Sequence, residues 1–222
     1  MCQFGIQHEI RRQSKKMEEK KIKKAPVMLY TEQTPNPETL KFVTNQMLYA
    51  RKMADFTLDE KDLAAEWSPI ADALFDFEFV KCVYICNNFI TVTKDAGVEW
   101  TTIMLDLKNF IKSYLEEDKP IIKEGFEAVK EELESESEEQ YEGDNAEMVT
   151  KIKQLLDKYV RPAVEMDGGN IKFHSFEEGV VNVVLQGSCS GCPSSSSTLK
   201  VGIEGMLKRM IPEIKSVEAI MG

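Results

Sequence analysis

Apolar positions along this chain follow two rhythms, and the changes between them mark the elements. Residues 80–86 (VKCVYIC) and 89–93 (FITVT) are short β-branched and aromatic runs, which predicts two strands. Asn87-Asn88 between them predicts a tight hairpin, because asparagine tolerates positive φ. Residues 40–43 read as another strand, preceded by Thr34-Pro35-Asn36-Pro37, whose prolines impose extended or turned backbone. The period then lengthens. Residues 61–75 read as helix, broken at Ser68-Pro69, where serine can cap and proline suits the first helical position. Residues 98–115 set Ile103, Leu107, Phe110, Ile111 and Leu115 on one helical stripe.

A second set of elements follows. Residues 146–160 predict a helix with Ile152, Leu155, Leu156 and Tyr159 inward, limited by Pro162. Asp167-Gly168-Gly169-Asn170 reads as a turn whose glycines serve backbone geometry. Residues 171–176 and 180–185 predict strands joined at Glu177-Glu178-Gly179. Residues 193–210 predict a helix with Leu199, Ile203, Met206, Leu207 and Met210 inward, ended by Pro212, and 214–221 a last strand.

Between these sets the composition shifts. Residues 131–139 (EELESESEE) carry too much like charge and too little apolar surface to hold a core. Residues 121–133, which lead into this run, keep some helical spacing through Ile122, Phe126, Val129 and Leu133. The expected organisation is a polar tail (1–25), an N-terminal domain (26–116), an acidic linker (117–146) and a C-terminal domain (147–222). The fold class is α+β: two small mixed domains, the second in the order α-β-β-α-β.

Composition narrows the function. A net charge of -10 over 222 residues repels phosphate backbones and anionic lipid, so neither nucleic acid nor a membrane surface is an expected partner. No apolar run approaches the roughly 20 residues of a membrane-spanning helix. No Ser/His/Asp set, carboxylate pair or glycine-rich phosphate loop suggests catalysis, and an enzyme is not expected. Five cysteines is an odd count, which suits thiols in a reducing compartment better than a disulfide framework. The first 25 residues are lysine-rich, lack an apolar signal core and include Glu9, Glu18 and Glu19. They argue for a cytoplasmic protein.

The chemistry concentrates in Gly187-Ser188-Cys189-Ser190-Gly191-Cys192-Pro193. Two cysteines three apart on a glycine-rich loop can turn both sulfurs to one point, which is metal-site or redox spacing. Cys192 precedes a predicted helix whose unpaired N–H groups favour thiolate and can donate to metal-bound sulfur. Residues 179–203 contain no Asp or Glu, which suits an anionic cluster in an acidic protein. Two thiolates are half of a soft-metal set. His174 lies mid-strand. Cys82 and Cys86 share a strand face but lie ~13 Å apart and read as small core residues. Cys2 is in the tail. A dithiol–disulfide oxidoreductase and a structural zinc module use the same pair. The oxidoreductase reading is weakened because its motif normally follows the first strand of a parallel sheet. A second copy of the chain would bring the set to four thiolates around a two-fold axis.

The segment Arg161-Pro162-Ala163-Val164-Glu165-Met166-Asp167-Gly168-Gly169-Asn170, followed by a hairpin and Gly187 to Ser195, resembles the C-terminal domain of NifU found in Nfu-type iron–sulfur carriers. Gln33-Thr34-Pro35-Asn36-Pro37, Leu40-Lys41-Phe42, Ser68-Pro69 and Phe89-Ile90-Thr91-Val92-Thr93-Lys94 resemble the Nfu N-terminal domain. The resemblance implies a carrier that holds a 4Fe–4S cluster between the CxxC motifs of a homodimer. Cys189 and Cys192 would be the metal ligands. The carrier would receive its cluster from an upstream assembly scaffold and pass it to apo iron–sulfur proteins. The N-terminal domain would contact targets rather than ligate.

Overall fold

The computed structural model describes residues 25–137, 144–189 and 193–221. It is α+β, with two separate sheets. The first contains β1 (Leu29–Gln33), β2 (Thr39–Thr44), β3 (Tyr49–Thr57), β4 (Val80–Asn87) and β5 (Phe89–Lys94), in the spatial order β1-β2-β5-β4-β3. All its pairings are antiparallel. The β4–β5 hairpin closes where expected: Cys86 pairs with Phe89, and Asn87 takes φ 44°.

Helices α1 (Lys61–Trp67), α2 (Pro69–Leu74), α3 (Trp100–Glu116) and α4 (Phe126–Ser137) contribute to the core on one face of this sheet. Ile103, Leu107 and Ile111 of α3 pack with Phe42, Phe56, Val83, Ile85, Ile90 and Val92. The Ser68-Pro69 break is as read: the buried Ser68 hydroxyl accepts from the Ala71 N–H at 3.4 Å and donates to the Ile121 carbonyl at 2.9 Å. Phe126 enters the same core, with ring centroids 5.4 Å from Phe56 and 6.1 Å from Trp67.

The second sheet has the order β6-β7-β8, from β6 (Gly169–Glu177), β7 (Val180–Gly187) and β8 (Ser216–Met221). β6 and β7 are antiparallel and β7 and β8 parallel, the crossover between them being α7 (Pro193–Met210). Glu178 and Gly179 both take positive φ, which suits the two-residue β6–β7 turn. The helix–strand–strand–helix–strand order is thus observed, with one irregularity. The helix expected over 146–160 is α5 (Asp144–Leu155), then a π-helical turn (Leu156–Val160), then α6 (Arg161–Met166). Pro162 sits in the first turn of α6, where its missing N–H costs no helix bond. The wide turn shifts the inward stripe by one residue: Val160 is buried and Tyr159 exposed, contrary to the simple period. Met210, expected inward, is also exposed, and Ile211 is buried in its place.

β3 has no counterpart in the sequence reading. Ala54 and Phe56 of that strand are buried in the helical core and Tyr49 packs against it, but Arg51-Lys52 interrupt the apolar pattern.

Candidate functional site

Strand alternation gives the first sheet a second face, carrying Lys41, Val43, Met53, Asp55, Cys82, Tyr84, Cys86, Phe89 and Thr91. The turns at the foot of the cysteine loop pack on this face. The Thr91 hydroxyl, from a residue 1% exposed, donates to the Gly168 carbonyl at 3.0 Å. Lys41 Nζ donates to the Met166 carbonyl at 3.1 Å and lies 4.5 Å from the Phe89 ring centre.

Cys189 follows β7 directly. α6 ends in a turn whose Gly168 N–H donates to the Glu165 carbonyl at 3.0 Å, and the chain enters β6 opposite Gly187. The Ser188 N–H returns to the Gly168 carbonyl at 3.2 Å. Three glycines make this approach possible. A Cβ on Gly169 would lie 2.7 Å from the Gln186 carbonyl and 3.0 Å from Cys189 Sγ. One on Gly187, at φ 62°, would lie 2.7 Å from the Gly168 carbonyl and 3.0 Å from Tyr84 Cγ. One on Gly168, at φ 84°, would lie 2.8 Å from Thr91 Oγ1. The Asp167-Gly168-Gly169-Asn170 turn, read from sequence as backbone geometry alone, is therefore the surface against which Cys189 is set.

Cys189 is buried, 7% exposed, in the wall of an apolar groove of 690 Å³. Val164 of α6, Leu199, Ile203 and Met206 of α7 and Tyr159 of the π turn line it. Pro35, from the N-terminal Thr34-Pro35-Asn36-Pro37 turn, forms part of the rim. That turn is fixed from below. Asn36 is buried, Trp100 Nε1 donates to the Pro37 carbonyl at 2.9 Å, and the buried Lys94 pairs with Glu38.

Cys192, the other candidate ligand, lies outside the described residues, as do Ser190, Gly191 and the N-terminal tail with Cys2. Among the described residues no three His, Cys, Asp or Glu side chains gather to hold a metal. His174 is exposed on β6 and lines a different, basic pocket with Lys153, Arg161 and Lys172. Cys82 and Cys86 are buried, in the layer between the first sheet and the C-terminal elements rather than in the helical core. Burial pushes both thiols up, Cys82 further because Asp55 lies beside it. They suit packing better than nucleophilic or ligand chemistry.

Two family descriptions match the chain. Residues 29–118 match "Scaffold protein Nfu/NifU N terminal" and residues 152–218 match "NifU-like domain". A human protein described as "NFU1 iron-sulfur cluster scaffold homolog, mitochondrial" is 38% identical over 196 residues, covering 88% of this chain and 72% of its own. The protein of that description from Drosophila persimilis is 38% identical over 200 residues, covering 90% and 67%. The solution structure of a NifU-like protein from Saccharomyces cerevisiae aligns with 44% of this chain and 86% of its own, at 25% identity and TM-score 0.41. The two matched domains stand in the order the residues had suggested, and the chain belongs to the Nfu/NifU family of iron–sulfur scaffold proteins, which are not enzymes.

Proposed function

We propose that this protein carries a 4Fe–4S cluster as cargo, bound by Cys189 and Cys192 from each of two copies in a homodimer. It takes the cluster from an upstream assembly scaffold and delivers it to apo iron–sulfur proteins. In this reading residues 26–116 form a non-ligating domain, 117–146 a linker and 147–222 the cluster-binding domain.

One observation carries the reading. Cys189 is buried beside a glycine turn in an open apolar groove, and the described residues offer no set that completes a metal site around it. A half-site of this kind suits a cluster shared between chains and then released. The chemistry of the surroundings fits an anionic cluster: residues 179–203 carry no carboxylate, and α7 begins at Pro193, directly after Cys192, with its positive dipole end toward the loop. The groove wall is low in polarity.

Anaerobic reconstitution followed by iron, sulfide and mass determination tests this. The expected result is about four iron and four sulfide per dimer, with the dimer lost on oxidation. Cys189→Ser and Cys192→Ser should each abolish uptake; a full cluster in either would overturn the assignment. Disulfide reduction by the metal-free monomer at a rate typical of an oxidoreductase would favour that alternative use of the pair.

We place the protein in the cytoplasm, whereas the relatives above are named as mitochondrial. Buried thiols at positions 82, 86 and 189 suit any reducing compartment, and cell fractionation decides between the two.

A further inference from the structure

The Gly168 carbonyl accepts two hydrogen bonds. One comes from the Thr91 hydroxyl on β5 at 3.0 Å, the other from the Ser188 N–H at 3.2 Å. Ser188 immediately precedes Cys189, and Cys189 Sγ rests against Gly169. A single carbonyl thus joins the N-terminal sheet to the backbone that aims the thiol. The surrounding fit leaves little slack. Gly168 has no room for a side chain because Thr91 occupies it, and Gly187 has none because the Gly168 carbonyl, with Tyr84 behind it, closes that space. Lys41 holds the residue two before Gly168 through the Met166 carbonyl. A hydroxyl so deeply buried, donating to a backbone acceptor of another domain, fixes a distance rather than merely satisfying itself.

We propose that Thr91 is a positioning residue for Cys189, acting through the Gly168 carbonyl, so that the N-terminal sheet sets how firmly the cysteine loop holds its cargo. The sheet supplies no ligand. It supplies the seat that limits the motion of the loop, and lifting the loop from that seat loosens the thiol without touching it. This rests on the cluster-carrying reading above. The seat itself exists in the metal-free chain and is measurable there.

The test uses the full chain with Thr91→Val, which keeps shape and removes the donor, and Thr91→Ser, which restores it. Amide hydrogen exchange in the metal-free protein is the first readout. Ser188 and Cys189 should exchange about fivefold faster in Thr91→Val, the effect of one lost hydrogen bond, and return to the original rate in Thr91→Ser. Loss of iron from the reconstituted dimer to a chelator is the second, with the same expected pattern. A purely structural Thr91 would instead speed exchange at its β-sheet neighbours Ile90 and Val92 and leave Ser188 unchanged, and that result overturns the proposal. Lys41→Met is a second lever on the same turn, through Met166, should Thr91→Val not fold. Unchanged Ser188 exchange there is equally fatal. If the unsubstituted chain takes up no cluster, the carrier reading fails, while Ser188 exchange still decides the seat.

Discussion

The Cys82 thiol donates to the Asp55 carboxylate at 3.2 Å, beneath the point where the cysteine loop leaves β7. Burial pushes the Asp55 carboxyl up to about 6, and Glu60 adds to the rise. Cys82, Lys172 of β6 and the Gly187 N–H pull the other way without cancelling it. The folded protein therefore holds this proton more tightly than the unfolded chain. The contribution of Asp55 to stability is fully present below its ordinary value of 3.8 and is lost as pH rises through about 6. Asp55→Asn, which keeps an acceptor for the thiol and the Gly187 N–H, should stabilise the protein by about 1 kcal/mol at pH 7.5 and hardly at all at pH 4. Urea titrations at the two pH values measure this. A larger gain at pH 4 than at 7.5 would contradict it.

Phe126 belongs energetically to the N-terminal core although it lies in the acidic stretch. It is 4% exposed and contacts Phe56 and Trp67. Phe126→Ala should cost about 3 kcal/mol, the scale of a buried ring replaced by a void. It should also shift Trp67 fluorescence, since the indole loses its neighbour. A cost below about 0.5 kcal/mol, the scale of an ordinary surface change, would mean the ring is not held there in solution.

Much of the fold was legible because its signals are local. Asn87, Ser68-Pro69 and the stripe Ile103, Leu107, Ile111 each carry their own geometry, and the hairpins and helices follow. β3 was not legible, because a charged pair separates Tyr49 from its two buried core residues, Ala54 and Phe56, and its partner β4 lies far along the chain. The docked face of the first sheet was hidden for a different reason. Lys41, Asp55 and Thr91 alternate with apolar residues just as a solvent-facing side would, although Val43, Tyr84, Cys86 and Phe89 on the same side are covered. At the candidate site, the spacing of Cys189 and Cys192 singles them out in the sequence. Nothing linear announces that Gly168 and Gly169, some twenty residues earlier, shape the space around Cys189, since the β6–β7 pairing of Gly169 with Gly187 brings them together.

Thiol chemistry separates the cysteines. Burial raises the Cys82 and Cys86 thiols, so the reactive thiolate is scarce at both. In the folded metal-free protein at pH 8, iodoacetamide should leave both unmodified over a period that fully labels them in denaturant, as peptide mass mapping would show. Replacing both with alanine should leave iron uptake unchanged. Reduced uptake would reopen a ligand role for them.

A demand of space alone falls on Gly169. Its φ is not in the left-handed region, so an alanine there meets no backbone penalty, and the effect of a Cβ is purely one of space. That Cβ would sit 2.7 Å from the Gln186 carbonyl, 3.0 Å from Cys189 Sγ and 3.1 Å from the Cys189 nitrogen. Two of these are backbone atoms of the β6–β7 ladder and the loop that leaves it, and they do not rotate away as a side chain would. The loop must move instead, and with it the thiol. Gly169→Ala should destabilise the C-terminal domain by about 1–3 kcal/mol, the cost of overpacking a tight site. It should also impair iron retention beyond what that loss explains. Gly202→Ala is the control: it lies on α7 at the same groove, where a Cβ meets nothing within 4 Å, and alanine there should stabilise the helix slightly. Thermal melts and chelator-driven iron loss on the two variants separate a general loss of stability from a displaced Cys189. Equal iron retention in both would show that the glycine turn does not set the position of the thiol.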